Sequence, residues 1–145
     1  MRYRFIDKVV SLDLDGRPRI EVEKTFHGDD DVFSGPSGPG RVPDSLVLEL
    51  MAMTGGHLVF RHLGERRLPL LLKVPDCRFE GTAAAGERLL AVATLGGVSS
   101  VADGTSVAET EARVYCESRP IAEARIMFVC VSVPGVDLVA PGRGA

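Results

Sequence analysis

The sequence lacks three features that would assign it to a broad functional class. No run of about 18 apolar residues exists, and Met1–Asp7 has no apolar stretch of signal-peptide type, so a cytoplasmic protein without a membrane span is predicted. Basic residues are not in excess: the net charge is −3, which argues against nucleic-acid binding. The three cysteines Cys77, Cys116 and Cys130 match no zinc or redox spacing, so we expect structural thiols and no metal or redox cofactor.

Length and composition indicate one globular domain. The chain has 145 residues, 45% of them hydrophobic and 26% charged, which is enough for a single core and ordinary for a folded protein. We predict a domain over residues 1–133 and a frayed, flexible tail over 134–145, where the chain is rich in Gly and Pro at its end.

The order of the predicted elements is two strands, one helix and four strands. Strand-like segments, apolar with turn signals between them, are Val9–Leu14, Arg19–Thr25, Leu70–Phe79, Glu87–Leu95, Val107–Glu117 and Ile121–Val133. The Gly- and Pro-rich segment 34–40 predicts a loop. Pro75 inside a strand indicates an edge strand or a bulge. This order predicts an α+β fold in which an antiparallel sheet wraps around the helix.

The helix is predicted over about 44–62, with Asp44 or Ser45 as its N-cap. Apolar residues occupy nearly every face, a pattern typical of a buried helix. Glu49 is the only charge in the first two turns after the cap. The pair Gly55 and Gly56 weakens the middle, since each glycine costs about 1 kcal/mol relative to alanine.

Local motifs then resemble one family in sequence and in order. The segments are Arg2–Val9, Pro43–Met53, Cys77–Phe79, Ala85–Leu89 and Ile121–Phe128. They resemble the R-Y-P-F-x-x-x-D-R-V, P-G-x-L-x-x-E-A-x-A-Q, A-R-F, P-G-D-x-L and V-A-E-A-x-L-M-F motifs of the 3-hydroxyacyl-[acyl-carrier-protein] dehydratases. The resemblance implies a single hot-dog domain.

The chain departs from that family at its decisive loop. The family reads G-H-F-P-G-x-P-x-x-P-G, whereas Ser34–Asp44 has no histidine, and the histidine position falls on Gly35. Glycine cannot accept a proton from the substrate. His27 lies upstream on a strand end, and to serve as a substitute base it would need the chain to fold back toward Gly35. His57 and His62 lie on the far half of the helix, with His57 eight positions after Glu49, roughly 12 Å along the axis, so neither is expected to form a direct acid–base pair with Glu49 within one chain.

Glu49 matches the family's acidic residue and is the predicted catalytic residue. Its neighbours at helical spacing are mainly apolar, so we expect it to be buried beside a pocket. The alternative is a charge that points away from the core. The resemblance also places Asp44, Ser45, Met53 and Phe79 against the substrate.

The sequence leaves three functions open. The first is a dehydratase-like accessory subunit for 3-hydroxyacyl thioesters, as in polyketide or fatty-acid biosynthesis. Because the family's site spans a dimer interface, a histidine-bearing hot-dog homologue would complete it. The second is a hot-dog acyl thioesterase that uses Glu49, and the third is a non-catalytic acyl-binding or dimerisation module. Expected partners are an acyl carrier protein with a phosphopantetheine-linked acyl chain, and either that homologue or a second copy. Five arginines are candidates for contacting the carrier or its phosphate: Arg61, Arg66, Arg67, Arg78 and Arg88.

Overall fold

A six-stranded antiparallel sheet and one helix make up the fold in this computed structural model, which describes residues 6–28 and 40–132. The elements are β1 (Lys8–Asp13), β2 (Arg19–Thr25), α1 (Asp44–His62), β3 (Leu68–Phe79), β4 (Arg88–Ala102), β5 (Thr105–Cys116) and β6 (Arg119–Val131). The strand order is β1-β2-β4-β5-β6-β3, and each neighbouring pair is antiparallel. The predicted α+β architecture is therefore confirmed.

Helix α1 packs across the inner face of the sheet and contacts β2 to β6. Its residues Leu50, Met51, Leu58 and Val59 are fully buried in one apolar core. Gly55 is the point of closest approach, because a Cβ built there would lie 2.7 Å from Oγ1 of Thr110 in β5. A glycine in mid-helix therefore lets the helix lie close to the sheet.

Helix α1 is buried as predicted on the face that meets the sheet, but it also has an exposed side. Ser45, Glu49 and Met53, spaced four residues apart, form an exposed stripe along the helix. The sheet covers the opposite face only, so a stripe of side chains at this spacing stays in contact with water.

The prediction of Asp44 or Ser45 as the N-cap of α1 is wrong. Pro43 occupies the cap position in an extended conformation, with φ −60° and ψ 145°, and no side chain caps the helix. The backbone N–H groups of Leu46 and Val47 donate to the Pro43 carbonyl, at 3.0 and 3.3 Å. Asp44 is the first helical residue, where its negative charge is favourable for the helix dipole.

Strand β4 is longer than its sequence predicts, because it continues through Gly96 and Gly97 to Ala102. The predicted strand ends at Leu95, directly before these glycines. In the structure they accompany a bulge against β5, and a Cβ at Gly96 would lie 3.3 Å from the carbonyl oxygen of Glu109. Glycine is used here for a close backbone approach within a hairpin.

Strand β3 is an edge strand that pairs with β6 only, within the described residues. Its register shifts between Lys73 and Asp76, around Pro75, as predicted for a proline inside a strand. Leu68, Leu70, Leu71 and Leu72 of this strand are exposed.

Several predictions concern residues outside the described ranges. The tail 134–145, the first motif residues Arg2–Phe5 and the Gly35 position of the histidine loop all belong to this group. Among residues 6–28 and 40–132, no helix is long and apolar enough to cross a membrane.

Candidate functional site

Helix α1 and edge strand β3 run side by side in opposite directions, and the seam between them holds the candidate site. The start of α1 lies beside the end of β3, where burial raises the pKa of the Cys77 thiol and the carboxylates of Asp76 and Asp44 raise it further. The second half of α1 lies beside the start of β3, where Phe60 and Leu68 line the same groove. Glu49 lies between these two ends.

The turn before α1 is held by the loop that precedes β4. Val42 N–H donates to the Ala83 carbonyl at 2.8 Å, and Ala85 N–H donates to the Gly40 carbonyl at 2.9 Å. Glu87 fixes this loop, since its carboxylate accepts the Ala84 N–H at 2.6 Å. That hydrogen bond, followed by one from Cys116, lowers the pKa of Glu87. The helix therefore starts from an anchored position.

Glu49 lies on the exposed stripe of α1, so the expectation that it is buried beside a pocket is wrong for the single chain. Its apolar neighbours at positions 46 and 50 turn toward the sheet, whereas Ser45 and Met53 share its own face. A carboxylate in this position is accessible to water.

An apolar groove of about 360 Å³ opens one helical turn beyond Glu49. It is lined by Ile6, by Ala52, Met53, Gly56, His57 and Phe60 of α1, by Leu68, Pro69 and Leu71 of β3, and by Phe128 of β6. Ala52 and Met53 follow Glu49 by three and four positions, the spacing that brings helical side chains together. Glu49 therefore lies one helical turn before the first groove residues of α1.

Other cavities lie away from this seam. A cavity of about 460 Å³ near the start of β4 and the end of β5 is lined by three charged side chains, Glu23, Arg88 and Glu117, together with Leu90, Tyr115 and Ser118. The smaller one around Glu123 is lined by Asp76, Arg78 and Arg113 and lies on the outer face. Neither has the apolar lining expected for an acyl chain.

Among the predicted substrate-binding residues, Met53 lines the groove and is half exposed. Asp44 and Ser45 lie in the first turn of α1, and Asp44 Oδ1 accepts from Arg41 Nη2 at 3.4 Å. Phe79 is exposed at the end of β3 that is remote from the groove. The structure thus brings Met53 and Glu49 together along one helix face and leaves Phe79 apart from them.

The sequence prediction missed most of the groove residues. His57, Phe60, Leu71 and Phe128 are separated by up to 71 positions in the chain, from 57 to 128. Part of the signal was present, because positions 49, 53, 56 and 60 recur at helical spacing on one face. That these helix positions face the exposed leucines of β3 could be known only from the position of β3 in the sheet.

Comparison with known proteins shows the fold. No family model and no curated protein matches the chain. Among solved structures, a Lactococcus lactis protein named as a thioesterase superposes with a TM-score of 0.68 at 12% identity, covering 88% of this chain and 94% of its own.

Two further solved structures superpose on this chain with similar TM-scores. A hypothetical thioesterase from Streptococcus pneumoniae, solved with coenzyme A, has a TM-score of 0.66 at 11% identity and coverages of 86% and 88%. A phenylacetic acid degradation-related protein from Ralstonia eutropha, also named as a thioesterase, has a TM-score of 0.65 at 19% identity and coverages of 84% and 83%.

The chain has the hot-dog fold of these neighbours, which confirms the predicted fold class. The comparisons do not support the narrower assignment to the 3-hydroxyacyl-[acyl-carrier-protein] dehydratases.

Proposed function

We propose that this protein is an acyl thioesterase that hydrolyses the bond between an acyl chain and a phosphopantetheine thiol. The observation that carries the proposal is the position of Glu49, a water-accessible carboxylate one helical turn before an apolar groove. A hydrolase needs both features, since it must bring water to the reacting carbon and hold an apolar acyl chain beside it.

Glu49 acts as the general base in this reaction. It takes a proton from a water molecule as the water oxygen bonds to the thioester carbonyl carbon, and the carbon–sulfur bond then breaks. The proton passes to the departing thiolate, so the products are a carboxylic acid and a free thiol. A positioned base contributes about 10²- to 10⁴-fold to such a step. Direct attack by the Glu49 carboxylate on the thioester is the other route to the same products.

The missing histidine is compatible with hydrolysis. Dehydration requires one group that removes a proton from C2 and a second that protonates the leaving hydroxyl. Along α1, His57 is roughly 12 Å from Glu49, and His27 is an exposed residue just beyond β2. Hydrolysis through Glu49 needs no histidine.

We also propose that the working unit is a dimer joined along β3. Within residues 6–28 and 40–132 no strand pairs with the outer edge of β3, which carries exposed leucines and borders the seam that contains Glu49. A partner that pairs with β3 would therefore come to lie beside the carboxylate and the groove. A second copy of this chain fits that position, and so does the histidine-bearing homologue considered above.

The thiol carrier is coenzyme A or an acyl carrier protein, which present the same phosphopantetheine arm. The structure of the Streptococcus pneumoniae neighbour with coenzyme A supports the first carrier by fold analogy. The sequence motifs that resemble dehydratases support the second.

A single substrate separates the thioesterase from the dehydratase. We expect the purified chain to release free thiol from 3-hydroxydodecanoyl-coenzyme A and from its carrier-bound form, leaving the 3-hydroxy acid intact. Thiol release is followed with a thiol-reactive dye, and a 2-enoyl thioester is detected by its ultraviolet absorbance. Dodecanoyl-coenzyme A, which has no hydroxyl to eliminate, is the matched control substrate and should also be cleaved.

Accumulation of the enoyl thioester would assign the chain to the dehydratases instead. Absence of thiol release from both carriers would contradict the thioesterase proposal.

A further inference from the structure

We infer that the groove binds the acyl chain and limits its length. Gly56 and Phe60 make the protein selective for unbranched aliphatic acyl groups of about eight to twelve carbons. This inference rests on the proposed function, because it takes the thioester carbonyl to lie at Glu49. It adds a substrate class and two specificity-determining residues.

The direction of the groove follows from the helix that lines it. The groove begins with Ala52 and Met53, continues past Gly56 and ends at Phe60, so it runs along α1 away from Glu49. Leu68 and Leu71 of β3 form the opposite wall. An acyl chain whose carbonyl lies at Glu49 would therefore extend toward Phe60.

The length of the groove limits the length of the acyl chain that it can hold. Gly56 and Phe60 follow Glu49 by seven and eleven positions, which correspond to about 10 and 16 Å along the helix axis. An extended alkyl chain advances about 1.25 Å per carbon, because its bonds of about 1.5 Å zigzag. About eight carbons reach Gly56 and about thirteen reach Phe60.

Gly56 keeps the middle of the groove open. A Cβ at this position would meet the Phe128 ring at 3.5 Å, an ordinary contact, so the glycine is not required by packing against the sheet. This differs from Gly55, where a Cβ would lie 2.7 Å from Thr110. A larger side chain at position 56 would project into the groove between Met53 and Phe60.

The apolar lining determines which kind of acyl tail binds in the groove. His57 is the one polar side chain among the groove residues, and the others are aliphatic, aromatic or glycine. Burial of a straight hydrocarbon against such a surface is favourable in free energy, because apolar area leaves water. A hydroxylated or charged tail would lose hydrogen bonds to water without replacing them.

Two substitutions should move the chain-length profile in opposite directions. For Gly56→Leu, we expect kcat/KM for dodecanoyl relative to hexanoyl thioester to fall about tenfold or more, the discrimination that a few methylene groups allow. For Phe60→Ala, which opens the far end, we expect hexadecanoyl relative to dodecanoyl thioester to rise by a similar factor. Gly97→Leu is the control, since a Cβ at Gly97 meets nothing within 4 Å and the residue lies in β4.

Binding provides a readout that does not depend on hydrolysis. S-hexyl, S-dodecyl and S-hexadecyl coenzyme A are thioethers that cannot be cleaved. Calorimetric titration should show weaker dodecyl than hexyl binding to Gly56→Leu, and stronger hexadecyl relative to dodecyl binding to Phe60→Ala, each compared with the wild type. Circular dichroism checks that each variant folds. If Gly56→Leu does not fold, Gly56→Val and Phe60→Ala carry the test.

The outcomes separate this inference from the proposed function. Hydrolysis that does not depend on chain length, or variants that slow all substrates equally, would overturn the groove inference and leave the thioesterase intact. Chain-length-dependent thioether binding without hydrolysis would overturn the thioesterase and leave the groove inference standing. Absence of both hydrolysis and binding would overturn both.

Discussion

Gly55 and Gly56 are adjacent in α1, but their surroundings differ. At Gly55 an added Cβ would collide with Oγ1 of Thr110, a fully buried residue whose hydroxyl donates to the Ile126 carbonyl. At Gly56 it would make only an ordinary contact with Phe128. The same substitution therefore tests helix propensity at one position and packing at the other.

We expect Gly55→Ala to lower the free energy of unfolding by up to about 2 kcal/mol, because overpacking costs about 1 to 3 kcal/mol and the helix-propensity gain is about 1 kcal/mol. Gly56→Ala should raise the free energy of unfolding by about 0.5 to 1 kcal/mol. Urea denaturation at one protein concentration measures both values.

Thr110→Ala supplies the control for this pair. Because it removes the atom that the new methyl group would meet, it should restore part of the stability lost in Gly55→Ala. Equal effects of alanine at positions 55 and 56 would contradict the packing explanation.

Among the elements, β3 combines an open edge with exposed apolar side chains. Leu71 and Leu72 are 58% and 49% exposed, and the backbone edge of the strand has no partner within the described residues. Long hydrophobic edges of this kind pair with other strands unless they are covered. In an isologous dimer the same edge would supply both halves of the contact.

We expect the wild-type protein to elute as a dimer of twice the 15.5 kDa chain mass, measured by size exclusion with light scattering. Leu72→Glu should convert it to a single chain, because two-fold pairing of β3 brings the introduced charges close together at the interface. The control is Val101→Glu, which places the same charge on a 65% exposed valine in the β4–β5 hairpin. A monomeric wild type, or a Leu72→Glu variant that stays dimeric, would contradict the role of β3.

The helix and strand segments were easier to predict than the contacts that each segment makes in the fold. The helix range 44–62 and the six strands followed from local apolar patterns and turn residues. The continuation of β4 past Gly96 did not, because the reason for that glycine is the Glu109 carbonyl in another strand. The exposure of Glu49 was missed for a similar reason, since the apolar neighbours of a helical residue do not show which face the sheet will cover.

At the scale of the whole molecule, the candidate site lies in the seam between α1 and β3. The sheet buries one face of α1 and leaves the stripe that holds Glu49 open beside β3. The groove continues that seam, and the edge where a partner would pair borders it. The carboxylate, the apolar groove and the edge of β3 are thus brought near one another by the fold, although they come from distant parts of the chain.

The most direct test of the central claim is the rate of thioester hydrolysis by Glu49→Gln. This change removes the charge but keeps the shape of an exposed side chain, so stability should change by about 0.5 kcal/mol or less. We predict that kcat for dodecanoyl-coenzyme A falls at least about 100-fold, the usual loss when a general base is removed. The control Glu80→Gln, at another exposed glutamate just after β3, should hydrolyse at the wild-type rate. A Glu49→Gln variant that retains wild-type kcat would contradict the account.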